Sequence, residues 1–471
     1  MSSIGNSLYG STLGDIVNNV NDAFSGKTSG IDVNSIVSEL MQVERQPETQ
    51  MQQEQSTISS QLSALTAIST QLTTLYNSVN SLKDFNGAFS QKTTGSSDSA
   101  VVSASADQTA AAGTHSVTVT NLATTSSSYS GYIPSGTSLA GAEIDVKYGS
   151  DPNHPLKTDT IVIPSGDTTL QQAASYINSG SYGVTASVVS DSQGSRLVLL
   201  SKTSGAAGNL TVSSAAAAFT SSAGVDAQLS IDGVPFDSST NTITGAIAGV
   251  TLSLGAAAPN TPVLISVQPD TSQATQAIQN FVDAYNAVIG SINAQFTVDP
   301  TTQNEGVLAG DSMLRPLQSD LLQMAATQVS GLGPYVNLQS LGIEMQDDGT
   351  LQIDSATLSA ALSSDFSDMQ NFFQSTSPAG WGQSAGTQML QLTDPTLGPV
   401  AVDISGLNQT NQDLTNQISD FEDNMAVVQQ QLTDQYSNLN ALLQQYPLEM
   451  QEIASQLASL PGASGSGNNQ G

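Results

Sequence analysis

The chain has 471 residues, 40 of them acidic and 9 basic, which gives a formal net charge of −31. Charged residues make up only 10% of it, against roughly 25% in an average soluble protein, so it is poor in bases rather than rich in acids. The last basic residue is Arg315. Nucleic acid and an anionic membrane surface are both excluded as partners, because each needs clustered Lys and Arg. With no cysteine, disulfides, thiolate metal sites and cysteine nucleophiles fall away together.

Length alone points to about three domains at roughly 150 residues each. No Lys or Arg precedes Lys27, and Met1 to Phe24 is studded with Ser, Gly and Asn, so a secretory signal is not legible. No run approaches the ~18 apolar residues of a membrane span. The expectation is a protein that stays in the cytoplasm or leaves by a route that reads something else.

In chain order, residues 1–43 read as a flexible segment, with a weak helical row at Leu13, Ile16, Val17, Val20 and Phe24 and a firmer one at Ile36, Val37, Leu40 and Met41. After Pro47, Ile58, Leu62, Leu65, Leu72, Tyr76 and Val79 follow heptad spacing, ending near Phe85 and Gly87. From Thr93 to about Gln268 the grammar changes to short alternating runs punctuated by Gly, Pro and Ser. Strands are predicted at His115 to Thr120, Glu143 to Tyr148, Thr160 to Ile163, Val184 to Val189, Arg196 to Leu200, Leu210 to Val212, Gln228 to Ile231, Val250 to Leu254 and Val263 to Val267. One helix interrupts them, capped by Asp167 and stopped by Gly180. Ser213 to Gly224 reads as a connector.

Helical spacing returns at Thr271, with Ile278, Phe281, Tyr285, Val288 and Ile292 on one face. Another helix follows Asp311. Ile343 to Ile353 reads as a hairpin turned by Asp348-Gly349, and Asp354 caps a helix whose stripe is Leu358, Leu362, Phe366 and Met369. Leu414, Ile418, Phe421, Met425, Val428 and Leu432 then hold strict heptad spacing, resumed by Leu439, Leu442 and Tyr446 after a break at Gln435. A helix of about forty residues is predicted here, to the neighbourhood of Pro447, some 60 Å long at ~1.5 Å per residue.

The reading is an α+β multidomain chain. Its N- and C-terminal segments form an elongated antiparallel helical leg, a coiled coil or bundle, with two small β-rich domains inserted as a head. Residues 44–90 with 271–446 make the helical domain, 91–138 with 225–270 one β-rich domain, and 139–224 a second inserted in it; 447–471 is a flexible tail. The predicted seam runs through Leu62, Leu65, Leu72 and Val79 against Leu414, Ile418, Phe421, Met425, Val428 and Leu432.

Chemistry is scarce. A Ser-His-Asp triad would have to use His115 or His154, and neither sits in a motif that activates a nucleophile. Gly26-Lys27-Thr28 has the form of a phosphate-loop ending, yet position 21, where that loop requires Gly, is Asn. No catalytic, cofactor or metal residues are assigned. Asn209-Leu210-Thr211 is a sequon by spacing alone.

Gly30-Ile31-Asp32-Val33-Asn34-Ser35-Ile36-Val37 with Leu40-Met41, Glu44 and Pro47 resembles the opening signature of the flagellar hook-associated protein 2 family, the filament cap proteins. Ala112-Gly113-Thr114-His115-Ser116-Val117-Thr118-Val119, Phe281-Val282-Asp283-Ala284-Tyr285-Asn286, Leu308-Ala309-Gly310-Asp311, and Leu341-Gly342-Ile343 with Gly349-Thr350-Leu351 follow in the family's order. Thr169 to Val212 resembles a small β repeat inserted in flagellins and related axial proteins. About twenty extra residues precede the signature, and Tyr436 is followed by Ser437-Asn438-Leu439 where the family tends to carry Gln-Phe.

The resemblance implies a ring-shaped homo-oligomer, most often a pentamer, at the distal tip of the filament. Its β domains would form a plate under which exported flagellin folds and inserts. It also implies contact with the hook-filament junction protein, and passage with a chaperone through the flagellar type III export machinery without a cleaved signal peptide. Gly30, Ile31, Asp32, Val33, Ile36, Val37, Leu40 and Met41 would be the axial contacts. The competing readings are another axial protein (flagellin or the junction protein) and a surface adhesin with exposed Ser/Thr-rich modules. Nothing here matches flagellin's Arg-Leu-Ser-Ser-Gly type segment. A secreted hydrolase is disfavoured by the missing catalytic groups.

Overall fold

The structure, a computed structural model, describes residues 32–134, 136–149, 156–167, 169–298 and 305–458. His154 and the segments 1–31 and 459–471 lie outside the described residues, so the expectations placed on them are not taken further here.

Two helices open the described chain, α1 (Val33–Glu44) and α2 (Gln46–Lys83), with a break at Arg45. Asp32 caps α1 by accepting the Ser35 N–H at 3.2 Å. Pro47 lies in the first turn of α2, where its missing N–H leaves no bond unmade. One side of α2 is buried through Leu65, Ile68, Leu72, Leu75, Val79 and Leu82. That is a three-four alternation, so it keeps one face of the helix on the core.

Strands β1 (Lys92–Ser96), β2 (Val102–Ala106) and β3 (Gly113–Asn121) begin the first β module. It is completed by β11 (Ala227–Ile231), β12 (Val234–Ser238), β13 (Thr242–Ile247), β14 (Val250–Leu254) and β15 (Val263–Pro269). A five-stranded sheet of order β1-β15-β3-β11-β12 and a three-stranded sheet of order β13-β14-β2 share one core. Val117 and Ile265 of the first sheet meet Val250 and Leu252 of the second there. All the pairings are antiparallel.

The second module is threaded into the first. It comprises β4 (Thr125–Ser130), β5 (Glu143–Tyr148), β6 (Lys157–Val162), α3 (Leu170–Ser179), β7 (Val184–Asp191), β8 (Gly194–Ser204), β9 (Leu210–Ser214) and β10 (Phe219–Ser222). Its sheets have orders β10-β4-β8-β7 and β6-β5-β9, over a core that includes Val146, Ile161, Ile177, Val184 and Leu199.

Three expectations change here. The inserted module begins at β4 rather than at residue 139, since β4 pairs with β8 and β10. Its inward residues are Ser126, Ser128 and Ser130, which are buried as hydrogen-bonded hydroxyls and so escape a search for apolar alternation. The Ser213 to Gly224 connector contains β10, which pairs with β4. The cap of α3 is Thr169, in a reciprocal box with Gln172, and not Asp167.

After β15 the chain is helical again. Asp270 caps α4 (Thr271–Phe296), then come α5 (Leu314–Ala325), the hairpin β16 (Ile343–Met345) and β17 (Leu351–Ile353), α6 (Ser355–Ser364), α7 (Phe366–Gln374), α8 (Trp381–Leu392) and α9 (Pro399–Ala458). Gly349, at φ 83°, makes the hairpin turn, a conformation that costs glycine little. The predicted stripe from Leu358 to Met369 spans two helices, broken at Asp365. The last helix has 60 residues, about 90 Å at ~1.5 Å per residue. It starts earlier than predicted because Val400, Ile404 and Leu407 already pack on the core. It also continues past position 447, through a run of Leu, Met, Gln, Glu and Ala that favours helix. The predicted flexible tail is therefore helical as far as Ala458. No described helix is long and apolar enough to cross a membrane.

Candidate functional site: the helical leg

The main helical core gathers α2, α4, α5, α6, α7, α8 and the start of α9. Trp381 is its centre, with the Phe281 ring 5.1 Å away edge-on and Phe373 at 5.8 Å. Its indole N–H donates to the Met324 carbonyl at 3.2 Å. Leu65, Leu72 and Val79 are buried in this core, and so belong to the bundle as a whole.

Beyond the bundle, α9 runs antiparallel along α2 and then along α1. Gln55 donates to the Thr415 hydroxyl at 2.9 Å, and further out Val37 and Met41 of α1 meet Met425. Val33, Phe421, Val428, Leu432 and Tyr436 are half-buried around that contact. Leu414 is buried and Ile418 half-buried. The predicted seam is therefore split. Its N-terminal row faces the bundle, Leu62 is half-buried, and the outer part of its C-terminal row faces α1. Heptad spacing reports that a face is buried and is silent on what buries it.

Of the predicted axial contacts, Gly30 and Ile31 lie outside the described residues. Asp32 is exposed at the cap, Val33 and Leu40 are half-buried, and Ile36, Val37 and Met41 are buried. A cleft of about 740 Å³ opens between α1 and α9, with Asn34, Ser38, Gln42, Gln429 and Thr433 in its walls. Arg45 stands at the break between α1 and α2, 2.8 Å from the Glu48 carboxylate. Carboxylates such as Asp413, Asp420, Glu422, Asp423 and Asp434 line α9, which carries no Lys, Arg or His. Past Tyr436, Leu439, Leu442, Tyr446 and Ile453 are exposed. This is a rod with a shallow apolar strip and an acidic surface.

Elsewhere the polar chemistry is structural. His115 Nδ1 lies 2.7 Å from Asp232 Oδ2, and Asp232 also accepts the Ser116 N–H at 2.8 Å. The hydrogen bond from His115 first, and then that N–H, hold the Asp232 carboxyl below the usual range. The imidazole thus ties down the turn between β11 and β12. Sequence reasoning missed Asp403, whose Oδ2 is buried without a hydrogen-bond partner among the described residues. Burial, and then the charge of Asp311, push its carboxyl up. It also missed Arg196, whose guanidinium lies 3.7 Å from the Tyr132 ring centre while that tyrosine donates to Asp191 at 2.7 Å. Among the described residues no cluster of three or more His, Asp or Glu side chains is placed to hold a metal ion.

A long terminal-helix leg, a helical bundle and two nested β modules define a legged α+β protein. Residues 29–126 match the family model for the flagellar hook-associated protein 2 N-terminus, and residues 224–447 the model for its C-terminus. Between them, residues 155–203 match the flagellin hook IN motif. The chain belongs to the flagellar hook-associated protein 2 family.

The B-type flagellar hook-associated protein 2 of Pseudomonas aeruginosa is 28% identical over 316 residues, which span 60% of this chain and 65% of that protein. The polar flagellar hook-associated protein 2 of Vibrio parahaemolyticus is 38% identical over 157 residues, 32% of this chain and 23% of that one. The matches thus span less than two thirds of these relatives' own length. The solved D1-D2-D3 domains of the flagellar cap protein FliD from Escherichia coli superpose with a TM-score of 0.57 at 26% identity, covering 73% of this chain and 99% of that one.

Proposed function

We propose that the protein is the structural, non-catalytic cap at the distal tip of a flagellar filament. There it promotes folding and polymerisation of exported flagellin and prevents its leakage. The observation that carries this reading is one family's two halves meeting in a single leg and bundle, with the β modules inserted between them. The fold shared with the Escherichia coli cap domains supports it.

In this reading the β modules form the plate of a ring of identical chains, a pentamer by family resemblance. The helical leg, ending in the axial-contact segment Gly30 to Met41, reaches the flagellin and junction-protein subunits below. We assign the bundle to residues 44–90 with 271–446, one β domain to 91–124 with 225–270 and the inserted one to 125–224. The chain reaches the cell exterior through the flagellar type III machinery with its chaperone. A half-buried strip on an acidic rod is suited to contacts that must re-form as subunits are added, because each contact is individually weak.

Gold-labelled protein viewed on filaments by electron microscopy tests this. Label is expected at the tip only, and cells lacking the protein should release flagellin monomer into the medium. Label along the shaft would assign a filament subunit instead. A second role in adhesion is supported by a cleft in the inserted module, between the turn after β4 and the start of α3, whose lining includes Thr137, Ser138, Thr169, Ser190 and Ser195.

A further inference from the structure

The inserted module holds a cleft of about 350 Å³ that the leg and bundle do not use. That volume lies within the range of small-molecule sites, roughly 300 to 1,000 Å³. The turn after β4 forms one wall and is stitched to β8 by the Ile133 N–H, which donates to the Ser195 carbonyl at 2.9 Å. The first turn of α3 forms another.

Its lining is of two kinds. Ile133, Leu170 and Val188 supply the apolar part, while Gln171, Ser190 and Ser195 supply an amide and two hydroxyls. The two serine oxygens lie 2.7 Å apart, so one hydroxyl hydrogen serves their mutual bond and the other is left to offer. The Gln171 amide makes no hydrogen bond among the described residues.

Among the described residues, no charged side chain lines the cleft. An anion or cation would give up water for no counter-charge, and a purely apolar ligand would strand the hydroxyls and the amide. What matches is neutral, carries several hydroxyls, and adds one amide with one methyl. We propose that this cleft binds an N-acetylhexosamine, its acetamide against Gln171 and the apolar wall, its ring hydroxyls on the serine pair. The inference deepens the adhesive reading and is independent of the cap.

The test is isothermal titration with saturation-transfer NMR on the full-length protein, with N,N′-diacetylchitobiose as probe. Saturation is expected on the acetyl methyl protons. Cellobiose, which has the same linkage without the acetamide, should bind about tenfold more weakly, and N-acetylneuraminic acid should not compete. N-acetylgalactosamine as a second arm separates sources: a preference for it marks O-linked glycoprotein chains, the reverse marks chitin-like or cell-wall glycans.

Gln171→Leu should weaken binding about tenfold, the scale of one lost hydrogen bond, and Ser190→Leu should block the cleft. Both should keep the wild-type melting temperature. Equal binding by wild type and both variants, or no saturation with any sugar, would overturn the proposal. Normal filaments in such a strain would show that the cap reading stands whether or not the sugar binds.

Discussion

The bundle and the outer leg use helices of the same heptad grammar, yet they bury it to different depths. In the bundle, α2 is ringed by α4, α8 and the start of α9, and the row from Leu65 to Leu82 is at most 1% exposed. In the leg, only two helices meet, so Phe421, Val428 and Leu432 are half-buried and Met425 keeps 8% exposure. Depth of burial follows the number of neighbours rather than the spacing of apolar residues. The consequence is a division in which the closed core lies in the bundle and the leg keeps part of its apolar surface exposed.

The largest test of that contrast is Trp381→Ala. It removes the ring packed between Phe281 and Phe373 and takes one donor from the Met324 carbonyl, which keeps the Thr327 N–H at 3.2 Å. A loss of about 3–5 kcal/mol is expected, a large share of the roughly 5–15 kcal/mol of a typical domain. Urea unfolding followed by circular dichroism measures it. A loss under about 1 kcal/mol would mean that the bundle is not the stable body.

Much smaller in global effect is Met425→Ala in the leg. The same chemistry in a closed core costs about 2–5 kcal/mol, but a two-helix contact collapses more readily, so about 1 kcal/mol is expected. It should register as faster amide hydrogen exchange in α1, with the melting temperature of the whole protein nearly unchanged. A drop in that temperature as large as for Trp381→Ala would erase the distinction between the two regions.

The same contrast explains what the sequence made legible. Glu143–Tyr148 and Val250–Leu254 were predicted with their observed limits, because their inward residues are apolar and alternate. Thr125–Ser130 was missed because its inward residues are serines, whose burial depends on partners that only the fold supplies, such as the Ser222 carbonyl. On α2 the rows through Leu62 and Tyr76 and through Ile68 and Leu75 both fit a heptad. The second is the buried one, and the choice is made by α4, which lies far along the chain. In the leg, Asp32 as a cap was within reach of the Asp-x-x-Ser pattern. The facing of Asp403 toward Asp311 was not, since these are polar residues in separate elements brought together only by tertiary packing.

Asp403 gives the subtlest test, at the junction where α9 leaves the bundle. Burial raises its carboxyl above the ordinary 3.8, and the charge of Asp311 adds to the shift. The folded state therefore binds this proton more tightly than the unfolded state does. The linked stability is gained as pH falls through the raised value, and at neutral pH the ionised group is a cost. Asp403→Asn removes the charge while keeping the shape. A small rise in melting temperature at pH 7 is expected, shrinking to nothing at pH values below the ordinary aspartate range. Thermal melts of both proteins across that span decide it. Destabilisation at pH 7, or a gain that is the same at every pH, would show that Asp403 carries no such cost and that the junction is as relaxed as the leg beyond it.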